Sequence, residues 1–472
     1  MKKADCQRII IGGGPAGISA AITFAENGIK SVIIDENADV GGVIYRQATR
    51  KIDSYPFAND ITYRRGCTLI NKFMQHQDLI EFKANTQVVG TMDDSHKIIV
   101  CDKQDIYEMY AEHFIVATGC YERVQPFPGW NLPGVMGLGG VQLQIKRGFV
   151  KPGKSVVLVG TGPLLLVAAK QLHAAGVPVK AVFEAGRLSD LIKNTFSLLH
   201  NIPLLTQGLM YHLYLKMHHI PFKYGWGIVE ARGDETVHSV VVAPYDKQWR
   251  PNREKTITLE TDCLGINYGF ACRSHLTQMM GCQHLYHKNS GGYQPKKDDW
   301  MRTSKIGVYV AGDSAGFNGA EVAELEGKIA ALGSMLDNKE LTSKDAKQLV
   351  KPINKKLSHL LRFRVALEKF SALKPGLLDL PTDDTLICRC ENITYGRIKQ
   401  AMTKGIKTET SLKMSTRLGM GDCQGKICGP FSSEFVSNNA HYPLSKVGVI
   451  RPRFPLFPVP FSRFKHQKNE KK

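Results

Sequence analysis

No stretch of this 472-residue sequence is long and apolar enough to cross a membrane. The longest nearly apolar stretch, residues 155–169, is too short and contains two glycines and a proline. Lys2, Lys3 and Arg8 precede an apolar run and together resemble a signal peptide. Cleavage there would remove a glycine-rich loop, so we interpret the run as a first strand. We therefore expect a cytoplasmic protein without a transmembrane segment.

Cysteine is too sparse for a secreted disulfide scaffold. The chain has 11 cysteines, seven of them single and four grouped near the C-terminus. This distribution favours buried, inert thiols in a reducing compartment for the single cysteines. These are Cys6, Cys67, Cys101, Cys120, Cys263, Cys272 and Cys282.

Acidic residues are scarce in the last third of the chain. The net charge is +19, and residues 339–472 contribute +15 of it. The basic residues occur singly and without an aromatic–basic stacking motif, so we do not expect a nucleic-acid partner. A solvated face, or one that meets an acidic partner subunit, is the favoured interpretation. Lys355, Lys356, Arg362 and Arg364 lie on one predicted helical segment, within residues 340–374, and are the candidate contacts.

A glycine-rich loop follows the first predicted strand. Residues 12–17 join a strand at 9–11 to a helix at 16–27. The spacing is that of a dinucleotide-binding loop, in which glycines allow a tight turn, close approach of a pyrophosphate and close helix packing. Asp35, at the end of the next strand, is placed to accept a bond from a ribose hydroxyl. A glycine-rich turn that binds nothing is the alternative. The loop residues predicted to bind the cofactor are Gly12, Gly14, Pro15, Ala16 and Gly17.

A second, less regular loop follows a strand at 155–159. Gly160 and Gly162 repeat the first two glycines, but Leu165 replaces the third. Leucine would displace the helix or narrow the phosphate site. Glu184 could still bind an adenosine ribose and would repel a 2′-phosphate. Three possibilities remain open: NAD(H), another adenine nucleotide such as ATP, or a vestigial domain that binds nothing.

Four cysteines near the C-terminus form the most specific ligand pattern in the chain. They follow the pattern Cys-x-Cys, then 32 residues, then Cys-x-x-x-x-Cys. Four thiolates satisfy a [2Fe–2S] cluster. Structural zinc also accepts four cysteines but favours wider spacing within a pair, and unligated or disulfide-bonded cysteines are a further alternative. The predicted ligands are Cys388, Cys390, Cys423 and Cys428.

Two further segments indicate, by resemblance to known flavoproteins, that the nucleotide bound by the first loop is FAD. Residues 114–119 (FIVATG) and 306–313 (IGVYVAGD) resemble FAD signatures of flavoproteins with two dinucleotide-binding domains. The resemblance implies that FAD contacts Gly119, Gly312 and Asp313, and that Gly42 lies in a turn near the flavin. The disulfide reductases of that superfamily carry redox cysteines after this turn or as Cys-x-x-Cys in the inserted domain. This sequence has neither pattern, so a thiol–disulfide reductase is not expected.

The C-terminal module extends the resemblance to nearly the whole chain. Residues 388–391 (CRCE) and 416–430 (TRLGMGDCQGKICGP) resemble the ferredoxin-like module of opine oxidase A subunits. Hydrogen cyanide synthase B subunits and hydroxyproline dehydrogenase α subunits are similar, and residues 117–123, 126–136, 160–166 and 309–326 fit the pattern of that group. The resemblance implies an electron-transfer subunit with FAD and [2Fe–2S]. It also implies a partner, the FAD-containing catalytic subunit of an amine or imino-acid dehydrogenase.

The expected fold class is α/β, with two Rossmann-like domains and a small helical [2Fe–2S] module. We predict a discontinuous FAD domain (1–122 and 263–337), an inserted nucleotide-binding domain (123–262) and a helical linker (338–384). A cluster module (385–435) and a proline-rich basic tail (436–472) follow. The predicted function is oxidation of a C–N bond in an amino acid, imino acid or opine, with substrate identity set by the partner. A self-sufficient NAD(P)H-dependent reductase and a non-enzymatic iron-binding or scaffold protein are the alternatives.

Overall fold

A computed structural model describes residues 6–48, 57, 60–92, 96–193 and 202–464 of the chain. Its strands are β1 (Cys6–Ile11), β2 (Ser31–Ile34), β3 (Ile80–Lys83), β4 (Gln87–Gly90), β5 (Lys97–Cys101), β6 (Ile106–Val116), β7 (Cys120–Glu122), β8 (Val135–Gly137), β9 (Val156–Gly160), β10 (Val179–Glu184), β11 (Phe222–Tyr224), β12 (Trp226–Arg232), β13 (Ser239–Pro244), β14 (Ile257–Glu260), β15 (Cys263–Asn267), β16 (Phe270–Cys272), β17 (His284–His287), β18 (Gly292–Pro295), β19 (Val308–Val310), β20 (Leu386–Cys388) and β21 (Ile393–Thr394).

The α-helices in the same ranges are α1 (Pro15–Glu26), α2 (Ile61–Met74), α3 (Leu138–Leu143), α4 (Leu164–Ala174), α5 (Leu188–Lys193), α6 (Ile202–Met217), α7 (His275–Met279), α8 (Ala320–Asp337), α9 (Ser343–Ser371), α10 (Tyr395–Met402), α11 (Glu409–Thr416), α12 (Gly429–Asn439) and α13 (Leu444–Val447). Among these helices, none combines the length and the apolar composition needed to span a bilayer.

The first sheet has seven strands and brings three chain segments to one edge. Strands β3, β2, β1 and the C-terminal half of β6 are parallel, and β19 pairs with β6 from the other side. The register places Ile11, Val116 and Val310 side by side. The loops that follow these residues therefore emerge together at the carboxyl edge of the sheet, where ligands bind in open α/β sheets. Helices α1 and α8 pack together against the sheet, with their buried apolar residues in one core.

The second sheet has five parallel strands in the order β11, β10, β9, β15, β8. The predicted domain boundary at residue 263 needs correction, because it would assign β15 to the FAD domain. Strand β15 pairs with β9 and β8 instead, and its five residues are all buried in this sheet. Burial on both faces explains why sequence patterning alone misplaced it. The chain returns to the first sheet after Asn267, through β16.

One long helix and a small module complete the fold. Within the predicted helical segment 340–374, the single helix α9 (Ser343–Ser371) continues through Pro352. The module that contains the four cysteines combines the β20–β21 hairpin with α10 to α13 around a core that includes Leu412, Phe431 and Phe435. Helix α12 crosses the predicted boundary at 435.

The proline-rich segment after the module packs against the rest of the protein. The Leu456 N–H donates to the Val89 carbonyl at 2.7 Å, and the Gln424 side-chain amide donates to the Pro455 carbonyl at 2.6 Å. The segment therefore joins the edge strand β4 to the cysteine module. Residues 465–472, which the sequence predicts to be disordered, lie outside the described residues.

Candidate cofactor sites

The first glycine loop has the space that a dinucleotide pyrophosphate requires. A Cβ on Gly12 would lie 2.3 Å from the Ala117 carbonyl oxygen, and one on Gly17 would lie 1.9 Å from the Gly12 carbonyl oxygen. Around Gly14 only the Gly42 Cα comes within 4 Å. Gly12 and Gly17 are thus required by backbone packing, whereas Gly14 borders an open groove. Pro15 starts α1, and no side chain caps that helix, so its first N–H groups point into the groove.

Asp35 contacts this loop from one side and the Gly41–Gly42 turn contacts it from the other, where a Cβ on Gly42 would lie 2.9 Å from the Gly14 Cα. The Gly13 N–H donates to Asp35 Oδ2 at 2.6 Å, and the Asn37 N–H donates to Oδ1 at 2.7 Å. The Gly41 N–H donates to the Gly13 carbonyl at 2.7 Å. Asp35 therefore lies beside the loop at the end of β2, where it is predicted to meet a ribose.

The residues implied by the second and third FAD signatures meet the same groove. Gly312 packs against Ala16, since a Cβ on it would lie 2.9 Å from the Ala16 Cβ. Asp313 accepts from the N–H groups of Asn318 and Gly319 at 3.2 Å each, and burial raises the pKa of its carboxyl. Gly119 has a positive φ of 74° and borders open space. The fold thus assembles these predicted residues around the first loop.

Residues of the second glycine loop make hydrogen bonds and packing contacts with other parts of this chain. Glu184 is buried, and its carboxylate accepts from the N–H groups of Gly162 at 2.8 Å and Gly186 at 2.7 Å. Burial raises the pKa of Glu184 to about 7. Phe370 of α9 lies over this turn, because a Cβ on Gly186 would be only 2.6 Å from the Phe370 ring.

A Cβ on Gly162, the counterpart of Gly14, would meet the Ser371 Cβ at 3.9 Å and the Asn267 side chain at 4.0 Å, whereas Gly160 packs against backbone as Gly12 does in the first loop. A Cβ on Gly160 would lie 2.0 Å from the Asn267 carbonyl oxygen. The Leu165 side chain is fully buried in an apolar cluster with Leu138 and Val141. Leucine in place of the third glycine therefore contributes to the apolar core of the second nucleotide-binding domain.

The four module cysteines converge in two pairs. The Cys428 thiol lies close enough to Cys388, and the Cys423 thiol close enough to Cys390, to perturb the pKa values of Cys388 and Cys390. The Cys428 thiol, together with nearby backbone N–H groups, lowers the pKa of Cys388 to about 6. The same interaction raises the pKa of Cys428, so the pair gives up its first proton more readily than its second. Within the described residues, no group of three or more His, Cys, Asp or Glu side chains is arranged to hold a single metal ion. A binuclear cluster does not require this, because its four ligands are shared between two irons.

Strand β7 lies between the two sites. Cys120 directs its Sγ towards Asp313, with 3.6 Å between Sγ and Oδ2. The next residue, Tyr121, faces the other way, as alternation along a strand requires. Burial raises the pKa of Tyr121, and the nearby thiols of Cys272, Cys423 and Cys428 add to this. Strand β7 and the cavity that Tyr121 lines with Gly425 and Gly429 therefore lie between the FAD groove and the cluster module.

The structure corrects the expectation that Arg364 faces a partner. Arg364 donates to the Phe317 carbonyl at 3.3 Å and lies 5.0 Å from the centre of the Phe317 ring. Burial lowers the pKa of its guanidinium, while Asp313 opposes this effect. On α9, residue 364 falls on the same buried stripe as Leu357 and Leu360, so helical spacing explains its inward position. Lys355, Lys356 and Arg362 remain at least partly exposed.

Several residues near the sites were not identified from the sequence as functional. These are Tyr121, Arg123, Cys272, Phe370 and Glu434. Their roles arise from contacts between distant segments, for which no local motif exists.

Two protein-family models match the chain. The model of the pyridine nucleotide-disulphide oxidoreductase family matches residues 7–327, more than half of the chain. The chain belongs to this family. A model of the BFD-like [2Fe-2S] binding domain matches residues 386–434 and so includes all four predicted ligands. The cofactors are accordingly FAD and a [2Fe–2S] cluster.

Two relatives match the chain over nearly its whole length. Hydrogen cyanide synthase subunit HcnB of Pseudomonas protegens is 41% identical over 460 residues, which are 97% of this chain and 97% of that protein. Among opine oxidase A subunits, that of Agrobacterium tumefaciens is 30% identical over 97% of this chain and 91% of its own length. The resemblance inferred from the cysteine module is therefore confirmed for these two groups.

Solved structures confirm the α/β fold of this family member. An L-proline dehydrogenase from P. horikoshii superposes with a TM-score of 0.69 and 20% identity, covering 97% of this chain and 79% of that chain. A T. acidophilum thioredoxin reductase superposes with a TM-score of 0.52 and 19% identity, covering 71% of this chain and all of that chain. At these identities the similarity concerns the fold alone.

Proposed function

We propose that the chain is the FAD- and [2Fe–2S]-containing electron-transfer subunit of a heteromeric dehydrogenase or oxidase. The electrons come from the C–N bond of an amino acid, imino acid or opine, which a partner subunit with its own FAD oxidises. The two relatives described above support this proposal, because both are named as subunits. One is a subunit of hydrogen cyanide synthase and the other a subunit of opine oxidase.

The position of β7 is the observation that carries the proposal. Cys120 borders the FAD groove at Asp313, and Tyr121 lines a cavity together with Gly425 and Gly429 of the cluster module. A flavin accepts two electrons and a [2Fe–2S] cluster passes them on singly. The close approach of the two sites suits a chain that moves electrons from one cofactor to the other.

The packing around the second glycine loop favours electron entry from a partner subunit over electron entry from NAD(P)H. The end of α9 lies against this loop, with the Phe370 ring over the turn at Gly186 and the Ser371 Cβ 3.9 Å from where a Cβ on Gly162 would lie. We infer that Gly160, Gly162 and Glu184 stabilise this domain and do not bind a nicotinamide nucleotide. This interpretation disfavours the self-sufficient reductase.

Anaerobic titration of the purified chain, alone and with its catalytic partner, tests the proposal. The isolated chain should keep its flavin oxidised in the presence of NADH or NADPH. With the partner, an amino-acid, imino-acid or opine substrate should bleach the flavin of this chain. Stoichiometric bleaching by NADH alone would establish the self-sufficient reductase, and purification without flavin would favour the scaffold protein.

A further inference from the structure

Two cysteines that are distant in sequence lie directly opposite each other in the structure. Strands β7 and β16 are antiparallel, and their register pairs Cys120 with Cys272. On one side of this pair the Arg273 N–H donates to the Gly119 carbonyl at 2.9 Å, and further along the Arg123 N–H donates to the Gly269 carbonyl at 3.0 Å.

This hydrogen-bond pattern defines the geometry of the cysteine pair. Hydrogen-bonded and non-hydrogen-bonded pairs alternate along an antiparallel ladder. Cys120 and Cys272 therefore form a non-hydrogen-bonded pair, and the Cys272 N–H donates instead to the Gly291 carbonyl at 3.0 Å. In such a pair the Cα atoms are about 4.5 Å apart and both side chains lie on the same face. This separation falls within the range that a disulfide spans, about 4.4–6.8 Å.

The surroundings place both thiols beside the FAD groove. Cys120 Sγ lies 3.6 Å from Asp313 Oδ2. Burial and the Asp313 carboxylate raise the pKa of both thiols, that of Cys272 to about 12. Cys272 also borders a cavity between the FAD-binding half and the cluster module, which Tyr121 and Gln424 line as well.

We propose that Cys120 and Cys272 form a reversible disulfide. With a low-molecular-weight disulfide as oxidant, one of the two cysteines first forms a mixed disulfide and releases one reagent thiol. The other cysteine then attacks the protein sulfur of this mixed disulfide and releases the second reagent thiol. One S–S bond forms, one breaks, and the two protons and two electrons of the protein thiols end on the two reagent thiols.

The disulfide would couple redox state to the arrangement of the two sheets. Strand β7 leads from the first sheet to the second, and β16 leads back. A bond between them would join the two connecting segments covalently. It would also remove the Cys120 S–H group from Asp313 in the FAD groove. This site is independent of the proposed subunit function.

Equilibration of the cofactor-loaded protein in glutathione buffers, from fully reduced to fully oxidised, tests this inference. After incubation to constant yield, acid quenching and alkylation under denaturing conditions, peptide mapping by mass spectrometry reports the linked cysteines. The linked Cys120–Cys272 peptide should increase at least ten-fold from the reduced to the oxidised buffer and disappear after dithiothreitol. The flavin absorption band should shift in parallel, because Cys120 leaves Asp313.

Three variants separate this pair from other thiols. Cys120→Ser and Cys272→Ser should each abolish the linked peptide, whereas Cys263→Ser, a buried cysteine of β15 in the second sheet, should retain it. Full alkylation of both Cys120 and Cys272 after equilibration in the most oxidising buffer would overturn the proposal. Pairing of either cysteine with another partner in the wild-type protein would overturn it as well.

Discussion

Arg123 and Glu434 form a buried ion pair with two N–O contacts, of 3.0 and 2.9 Å. Arg123 follows β7, Glu434 lies on α12, and the pair therefore fastens the cluster module to the segment beside the FAD groove. Tyr286 adds a hydrogen bond to Glu434 at 3.2 Å. The coulombic attraction of Arg123 lowers the pKa of the Glu434 carboxyl although burial opposes this.

Glu434→Gln should destabilise the protein by about 3–5 kcal/mol, because it leaves the buried Arg123 charge uncompensated. Urea unfolding measures this effect. Glu391→Gln is the control, since its partner Arg417 is largely exposed and the change should cost about 1 kcal/mol or less. The double variant Arg123→Met/Glu434→Leu should recover much of the stability. Equal effects of Glu434→Gln and the control would contradict a fastening role.

Gly14→Val should fold but lose the flavin. The space around Gly14 is open apart from the Gly42 Cα at 3.9 Å, so valine has room only by filling the groove. The ratio of flavin absorbance to protein gives the result. Gly208→Val, on α6 with open space around the glycine, is the matched control and should keep its flavin. A full flavin complement in Gly14→Val would mean that this loop is not the FAD site.

The module cysteines should be essential for the cluster and dispensable for the flavin. Cys390→Ser or Cys423→Ser removes one of four thiolate ligands in a module with its own apolar core. Iron and acid-labile sulfide per chain should fall to near zero while flavin content remains unchanged, and Cys67→Ser should change neither. Bound zinc without iron or sulfide in anaerobically prepared wild-type protein would contradict the cluster assignment.

How far the sequence predicts this structure depends on the range of the interactions involved. The Rossmann loops and the four module cysteines were identifiable because each sits in a short motif with a physical requirement, whereas Asp313 was assigned through the resemblance of residues 306–313 to an FAD signature. Three features were not identifiable from the sequence. They are the position of β15 in the second sheet, the pairing of Cys120 with Cys272 and the contact of Phe370 with Gly186. These depend on pairing or packing between distant segments, which composition and periodicity do not encode.

The stability of the cluster module should decrease as pH rises. Burial raises the pKa of Glu409 to about 8 in the folded protein, from 4.5. Between these values the folded state binds more protons than the unfolded state, so the free energy of unfolding falls with increasing pH and levels off above about pH 8. The decrease can reach a few kcal/mol, because one pKa unit corresponds to about 1.4 kcal/mol.

Glu409→Gln should remove this pH dependence, since glutamine stays neutral. Thermal unfolding at pH 5 and pH 8, followed through the visible absorbance of the cluster, gives the comparison. The exposed Glu254→Gln variant should behave as wild type. A wild-type module that is more stable at pH 8 than at pH 5 would show that Glu409 does not control the titration.

Freeze-quench EPR of the assembled complex tests electron transfer through this chain most directly. After anaerobic mixing with the amino-acid, imino-acid or opine substrate, the wild-type complex should develop the signal of a reduced [2Fe–2S] cluster. The complex with Gly14→Val, which lacks this chain's flavin, should remain silent, and the complex with Gly208→Val should match wild type. NADH added to the isolated wild-type chain should give no signal. Rapid cluster reduction by NADH in the isolated chain, or by substrate in the Gly14→Val complex, would contradict the account.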